Sequence, residues 1–258
     1  MNTPPLPHDT PPLPHDTPSL PHDGSTSAES RLCGYWSSRA DLPTSLLGAS
    51  MVDHAQPDRP ANPQGWWRVP CQVTDRVYIS GDLDTFRPER GAAQLQEWLE
   101  LGVTDIIDVR NEWNDATYVA KLAPAVRYHH FGTDDLDNGQ PAEWFAKGVS
   151  AALEALQDPQ RRVMVHCHMG VNRGPSMAFA ILLALGMAPV EALDAVRASR
   201  PIAGIIYAVD ALTWWHHNDE TPLIEAAHDQ IAVSVWHMKN PVDVSWIVSR
   251  IHQEGYSS

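Results

Sequence analysis

Cysteine is scarce in this chain: 258 residues contain three, Cys33, Cys71 and Cys167. No two stand in a Cys-x-x-Cys pair, which argues against a zinc-ribbon site and a disulfide scaffold and for a reducing compartment. Basic residues are also few, 18 Lys and Arg against 32 Asp and Glu, for a formal net charge of −14. So acidic a balance disfavours nucleic acid or an anionic membrane as partner, since both call for a cationic face. No stretch approaches the roughly 18 apolar residues of a bilayer span. The first residues have neither the basic nor the apolar region of a signal peptide. The expectation is a cytoplasmic protein with no nucleic-acid or membrane partner.

What is present divides into three parts. Residues 3–23 repeat Thr-Pro-Pro-Leu-Pro-His-Asp twice, then Thr-Pro-Ser-Leu-Pro-His-Asp. Pro-rich repeats of this kind favour extended, solvated backbone, so 1–63 reads as a disordered tail. His8, His15 and His22 recur at equal steps there, and Met51 offers a second start codon. Residues 64–215 carry the pattern of a folded domain, and 216–258 read as a helical C-terminal extension with apolar positions such as Leu223, Ile231, Trp236, Trp246, Ile247 and Ile251.

Within the domain, 69–79 alternates around Thr74-Asp75 and predicts a β-hairpin. Helices are predicted over 91–101 (closed by Gly102), 113–122, 141–156, 176–185, 190–199 and 205–215. Buried-type strands fall at 103–109, 126–131 and 162–166. Strands alternating with helices give an α/β fold, a central and mostly parallel sheet flanked by helices. The pairs His129–His130 and His216–His217 do not make a metal site: neighbouring strand residues face opposite ways and no further ligand pattern accompanies them. No metal or cofactor is expected.

The chain is organised around Val163-Met164-Val165-His166-Cys167-His168-Met169-Gly170-Val171-Asn172-Arg173-Gly174-Pro175-Ser176. An apolar strand ends in His-Cys, a short loop follows, and an Ala/Leu-rich helix begins. Backbone N–H groups of such a loop, with the positive end of the helix dipole, form a nest for an oxyanion above a thiol. The thiolate is the reactive form, and those N–H groups and Arg173 all favour it. Arg173 presents a planar fork suited to two phosphoryl oxygens.

His166, Cys167, Gly170 and Arg173 together make the His-Cys-x-x-Gly-x-x-Arg pattern, which resembles the cysteine-dependent phosphatases, and within them the dual-specificity group. The resemblance covers about residues 66–215 and implies a cysteine phosphatase-like fold. It implies that Cys167 is the nucleophile, that His168, Met169, Gly170, Val171, Asn172 and Arg173 surround the phosphate, and that His166 supports the loop by hydrogen bonding. It also implies a general acid on the loop after strand 126–131. Spacing from Tyr128 and Cys167 favours Asp135, with Asp134 second and Asp137 third.

Two departures stand out. Relatives place Ser or Thr directly after the arginine, to stabilise the departing thiolate. Here Gly174 stands there, and the next hydroxyl is on Ser176. Losing one such bond costs roughly 1–3 kcal/mol in the hydrolysis step. Arg197, Arg200 and Pro201 match an Arg-x-x-Arg-Pro element, but its usual Asn-x-Gly-Phe continuation is replaced by Ala203-Gly204-Ile205. The loop 168–172 has no lysine, which disfavours polyphosphoinositide substrates. Arg110-Asn111-Glu112 either borders the pocket or makes a structural salt bridge.

The expected function is hydrolysis of phosphomonoesters through a phosphocysteine, on phosphotyrosine, phosphoserine or phosphothreonine of proteins. The alternative is a phosphate-binding pseudophosphatase with impaired turnover. Arsenate reductases and sulfurtransferases fit less well, because here the loop follows several strands and helices and keeps the His-Cys-x5-Arg frame.

Overall fold

The computed structural model describes residues 65–135 and 139–255. The Pro-rich tail 1–63, with its histidine repeat and Met51, lies outside the described residues, and so does Asp137.

The hairpin forms where alternation predicts it. β1 (Cys71–Gln72) pairs antiparallel with β2 (Val77–Ser80). The Thr74 hydroxyl oxygen holds the turn by accepting the N–H groups of Arg76 (3.3 Å) and Val77 (3.1 Å). There follow α1 (Pro88–Glu100), β3 (Asp105–Arg110), α2 (Ala116–Leu122), β4 (Arg127–Thr133), α3 (Ala142–Leu156) and β5 (Val163–His166). The chain then turns all-helical: α4 (Arg173–Ala184), α5 (Pro189–Ser199), α6 (Ala208–Asn218), α7 (Leu223–Lys239) and α8 (Val244–Gly255).

Several boundaries differ from the sequence reading, each for a local reason. α1 starts at Pro88, whose ring suits the first helical turn, and Gly102 closes it with φ +81°. α2 starts three residues late because the Asn114 side-chain oxygen accepts the Ala116 N–H at 3.1 Å, a turn that competes with helix. α4 begins at Arg173 itself. α6 starts at Ala208 because Ile205 has φ +54°, outside the helical region. It ends at Asn218, so the expected domain edge at 215 falls within a helix.

The five strands lie in the order β1-β2-β5-β3-β4, parallel except for the β1–β2 hairpin. Successive residues serve opposite faces. Tyr78, Ile106 and Met164 pack with Leu95, Trp98 and Val119 under α1 and α2. Val77, Ile79, Ile107, Val163 and Val165 pack into the larger core built by α3 to α7. α7 joins that core through Val233 and Trp236. α8 docks elsewhere: Ile247 and Ile251 are buried against Trp67, Met169 and Val171. Among the described residues no helix is long and apolar enough to cross a membrane.

Candidate active site

β5 lies in the middle of the sheet, and Cys167 is the residue immediately after its carboxyl end. That position, where loops gather between a parallel sheet and a helix N-terminus, is where such folds bind ligands. The thiol is 2% exposed. Surrounding groups hold the loop by its carbonyls. His168 O accepts from the Asp82 N–H (3.0 Å) and Val171 O from the Gly204 N–H (2.7 Å). Arg200, itself buried, donates to Met169 O (3.0 Å) and to Gly170 O. A peptide group is planar, so four carbonyls drawn outward turn the N–H groups of 169–172 the other way. The result is an anion nest next to the thiol. Gly170 is required on the outer side: its φ is +63°, and a Cβ there would lie 2.5 Å from Arg200 Nη2 and 2.6 Å from Ser80 O.

Arg173 closes the loop, buried at 3% exposure. Its Nη1 donates to Glu112 Oε2 and Thr133 O, both at 2.8 Å, and its Nη2 to Glu112 Oε1 at 2.6 Å. Of the five guanidinium N–H groups, this leaves Nε–H and one Nη2–H, which lie side by side on one edge. That edge is a two-pronged donor for two phosphoryl oxygens. Burial alone would lower the guanidinium's proton affinity. The Glu112 hydrogen bonds and the nearby Cys167 and Asp135 more than reverse this, so Arg173 stays charged. Glu112 is thus both a salt-bridge partner and a neighbour of the site. Burial raises its carboxyl, but the Arg173 hydrogen bond, a backbone hydrogen bond and the charges of Arg173 and His168 together hold it below the ordinary carboxylate range.

Of the two described candidate acids, the structure brings Asp135 to the loop. Its Oδ2 lies 3.6 Å from Arg173 Nε, and its Oδ1 accepts the Tyr207 hydroxyl at 2.7 Å. Asp134 turns away, accepting from Asn111 Nδ2 at 2.8 Å. The nest side chains divide in the same fashion. His168 Nδ1 lies 2.8 Å from Asp82 Oδ2, whereas Met169 and Val171 point into the apolar cluster with α8 rather than at a ligand.

The expected hydrogen-bonding role of His166 needs correction. Neither ring nitrogen has a hydrogen-bond partner, and the imidazole is fully buried, 3.9 Å from Asp108 and against the Trp98 ring. It supports the loop by packing. Burial holds the ring below the ordinary histidine range, with Asp108 opposing. Ligand atoms of His166, Asp108 and Asp115 fall within 4.8 Å of one another, a spacing that would fit a cation. The Arg110 guanidinium, bonded to both carboxylates, already supplies that charge.

A Cβ at Gly174 would lie in ordinary contact with Cys167 Sγ at 3.5 Å and tightly against Cys167 N at 3.3 Å. Ser176 Oγ accepts the Tyr207 N–H at 3.2 Å, which leaves its own hydroxyl proton to donate. Tyr207 and the Arg200 grip were not singled out from the sequence. Arg200 is legible only as half of a motif, and Tyr207 follows the stretch where that motif breaks. Arg197 faces away from the loop, bonding Ala203 O and Asn240 O and lying over the Trp236 ring.

A buried thiol below an amide nest, with a charged arginine closing the loop, makes a Cys-x5-Arg site suited to an oxyanion on an α/β sheet. Human dual specificity protein phosphatase 13B is 30% identical over 164 residues, which cover 61% of this chain and 81% of that protein. The mouse protein of the same name is 29% identical over 107 residues, 40% of this chain and 54% of that one. Among solved structures, human DUSP28 aligns with a TM-score of 0.46 at 17% identity, covering 58% of this chain and 93% of that one. A leucine rich repeat and phosphatase domain containing protein from Entamoeba histolytica aligns with a TM-score of 0.45 at 11% identity, covering 60% and 95%. No family sequence model matches the chain. On the human relative, this chain belongs to the dual-specificity protein phosphatase family.

Proposed function

We propose that the protein removes phosphoryl groups from phosphotyrosine, phosphoserine or phosphothreonine of proteins through a phosphocysteine on Cys167. The observation that carries this reading is the open edge of Arg173, facing Asp135 at 3.6 Å beside the nest that holds the thiol. The nest and Arg173 bind the phosphoryl oxygens, and the Cys167 thiolate attacks phosphorus. As the S–P bond forms, the P–O bond to the leaving group breaks and Asp135 gives that oxygen its proton. In the second step Asp135 takes a proton from water, the water oxygen bonds to phosphorus, and the thiolate leaves with the S–P electron pair.

The test is hydrolysis of a generic aryl phosphate, expected to be vanadate-sensitive and abolished in Cys167→Ser. A phosphopeptide array with wild type and Asp135→Ala then reads the substrate class; the variant is expected to bind without turning over. A second reading, a phosphate-binding pseudophosphatase, is favoured by one observation, a glycine without a hydroxyl at position 174, whose Cβ position lies 3.5 Å from Cys167 Sγ. Binding of vanadate without any turnover would select it.

A further inference from the structure

We propose that Tyr207 is a positioning residue for the proton-transfer step: its hydroxyl pins one carboxylate oxygen of Asp135 so that the other faces the phosphoryl site. This rests on Asp135 being the proton donor of the reading above.

The two oxygens of Asp135 are not equivalent. Oδ1 accepts the Tyr207 hydroxyl at 2.7 Å, and Oδ2 lies 3.6 Å from Arg173 Nε, on the guanidinium edge left for phosphate. Asp135 itself sits beyond Thr133, the last residue of β4 to pair with β3, so the strand does not fix its side chain. A carboxylate there has two torsions to settle, and a bond to one oxygen settles both. Tyr207 suits the task because its ring is rigid and 2% exposed, while its tip reaches a polar group. Its N–H also donates to Ser176 Oγ in α4, which ties the acid's support to the helix that carries Arg173.

The backbone leading to Tyr207 points the same way. Ile205 is fully buried with φ +54°, a conformation that a β-branched residue rarely adopts. Glycine would adopt it readily, yet the chain keeps isoleucine there. The turn is held by Gly204 N–H to Val171 O at 2.7 Å and by Ala208 N–H to Ile205 O at 3.1 Å. Outliers held in place by their surroundings tend to mark functional positions. Here the turn delivers Tyr207 at the point where the familiar Asn-x-Gly-Phe element is missing.

Tyr207 keeps its own proton throughout. Burial, then the bond to Asp135, hold its phenol well above the ordinary tyrosine range. The transferred proton is that of Asp135 Oδ2. It goes to the leaving oxygen in the first step and is replaced from water in the second.

The experiment compares Tyr207→Phe with wild type on two substrates, phenyl phosphate and dinitrophenyl phosphate. Phenolate leaves poorly and needs the proton; dinitrophenolate does not. The variant is expected to lose about tenfold in kcat/KM, which reports the phosphorylation step, on phenyl phosphate and less than about twofold on dinitrophenyl phosphate. Asp135→Asn should show the same selective pattern, larger, and adding Tyr207→Phe to it should cost nothing further. Thermal melting of Tyr207→Phe guards against a folding effect. Equal losses on both substrates, no loss on either, or full additivity in the double variant would overturn the role of Tyr207. A flat Asp135→Asn response would instead overturn the acid assignment on which it rests.

Discussion

Three of the five N–H groups of Arg173 are occupied before a substrate arrives, two by Glu112 and one by Thr133. Orientation of the remaining pair therefore depends on Glu112. Glu112→Gln is expected to lower kcat on an aryl phosphate about tenfold, because the guanidinium edge loses its alignment. Stability should change by about 1 kcal/mol or less, since the Glu112 side chain is 40% exposed and the pair is screened. Steady-state kinetics and a urea melt check both halves; unchanged kcat contradicts the alignment argument. At Gly174 the expectation runs the other way. A serine there would place its Cβ 3.5 Å from Cys167 Sγ, within reach of the leaving thiolate. Wild type is expected to show a burst in rapid-quench experiments as phosphoenzyme accumulates. Gly174→Ser should shrink the burst and speed turnover about tenfold. No burst, together with an ordinary turnover rate, would refute this. The roles assigned to Cys167 and Arg173 could be written from the sequence because both lie in one unbroken strand–loop–helix stretch. Glu112 was legible only as one of two alternatives and Tyr207 not at all, because each reaches its partner only after the sheet and the α5–α6 turn have formed.

At the scale of elements, α8 is the part whose position the sequence conceals. The spacing of Ile247 and Ile251 marks one apolar helical stripe, but periodicity names no partner. The fold supplies it: both residues pack on Met169 and Val171, outward side chains of the catalytic loop, together with Trp67. α8 therefore buttresses the loop from behind. A chain ending at Lys239 should lose about 3 kcal/mol of stability, because Trp67, Met169 and Val171 lose their apolar cover. It should also lose activity toward an aryl phosphate at temperatures where the rest of the domain remains folded. Melting curves and kcat/KM of the shortened protein test this; full activity would show that α8 is an appendage. The β-α alternation was legible because β2 and β5 are buried on both faces and are mostly apolar, and β3 carries Ile106, Ile107 and Val109 among buried charges. Helix starts were less so, since α1 and α2 are set by Pro88 and by the Asn114 side chain, single residues outside any period.

For the whole molecule, the distribution of charge matters more than its sum. A chain of net charge −14 places Arg173 and the N-terminus of α4 beside the Cys167 loop, a local concentration of positive charge. Beneath them it buries Asp82, Asp108 and Asp115 with Arg110 and His166. Composition alone shows the acidic total and hides this arrangement. Its consequence is a pH-dependent stability. Burial holds His166, His129 and His237 below the ordinary histidine range, so the unfolded chain binds these protons first. Their contribution is complete above about pH 6.5 and is lost as the pH falls. Glu112, held low by Arg173 against the effect of its burial, adds a further loss below about pH 4.3. Asp115 runs opposite: burial pushes its carboxyl up despite Arg110, so its contribution returns as the pH falls. Three histidines against one carboxyl give a melting temperature that decreases from pH 7 to pH 5.5. A flat or rising series would contradict this balance.

The central claim is that Cys167 carries the phosphoryl group between two chemical steps. The direct measurement is the mass of the protein quenched in acid during turnover of an aryl phosphate, with peptide mapping of the modified site. One phosphoryl group is expected on Cys167, and none in Cys167→Ser. Turnover with Cys167 unmodified, or with the phosphoryl group on another residue, would contradict it.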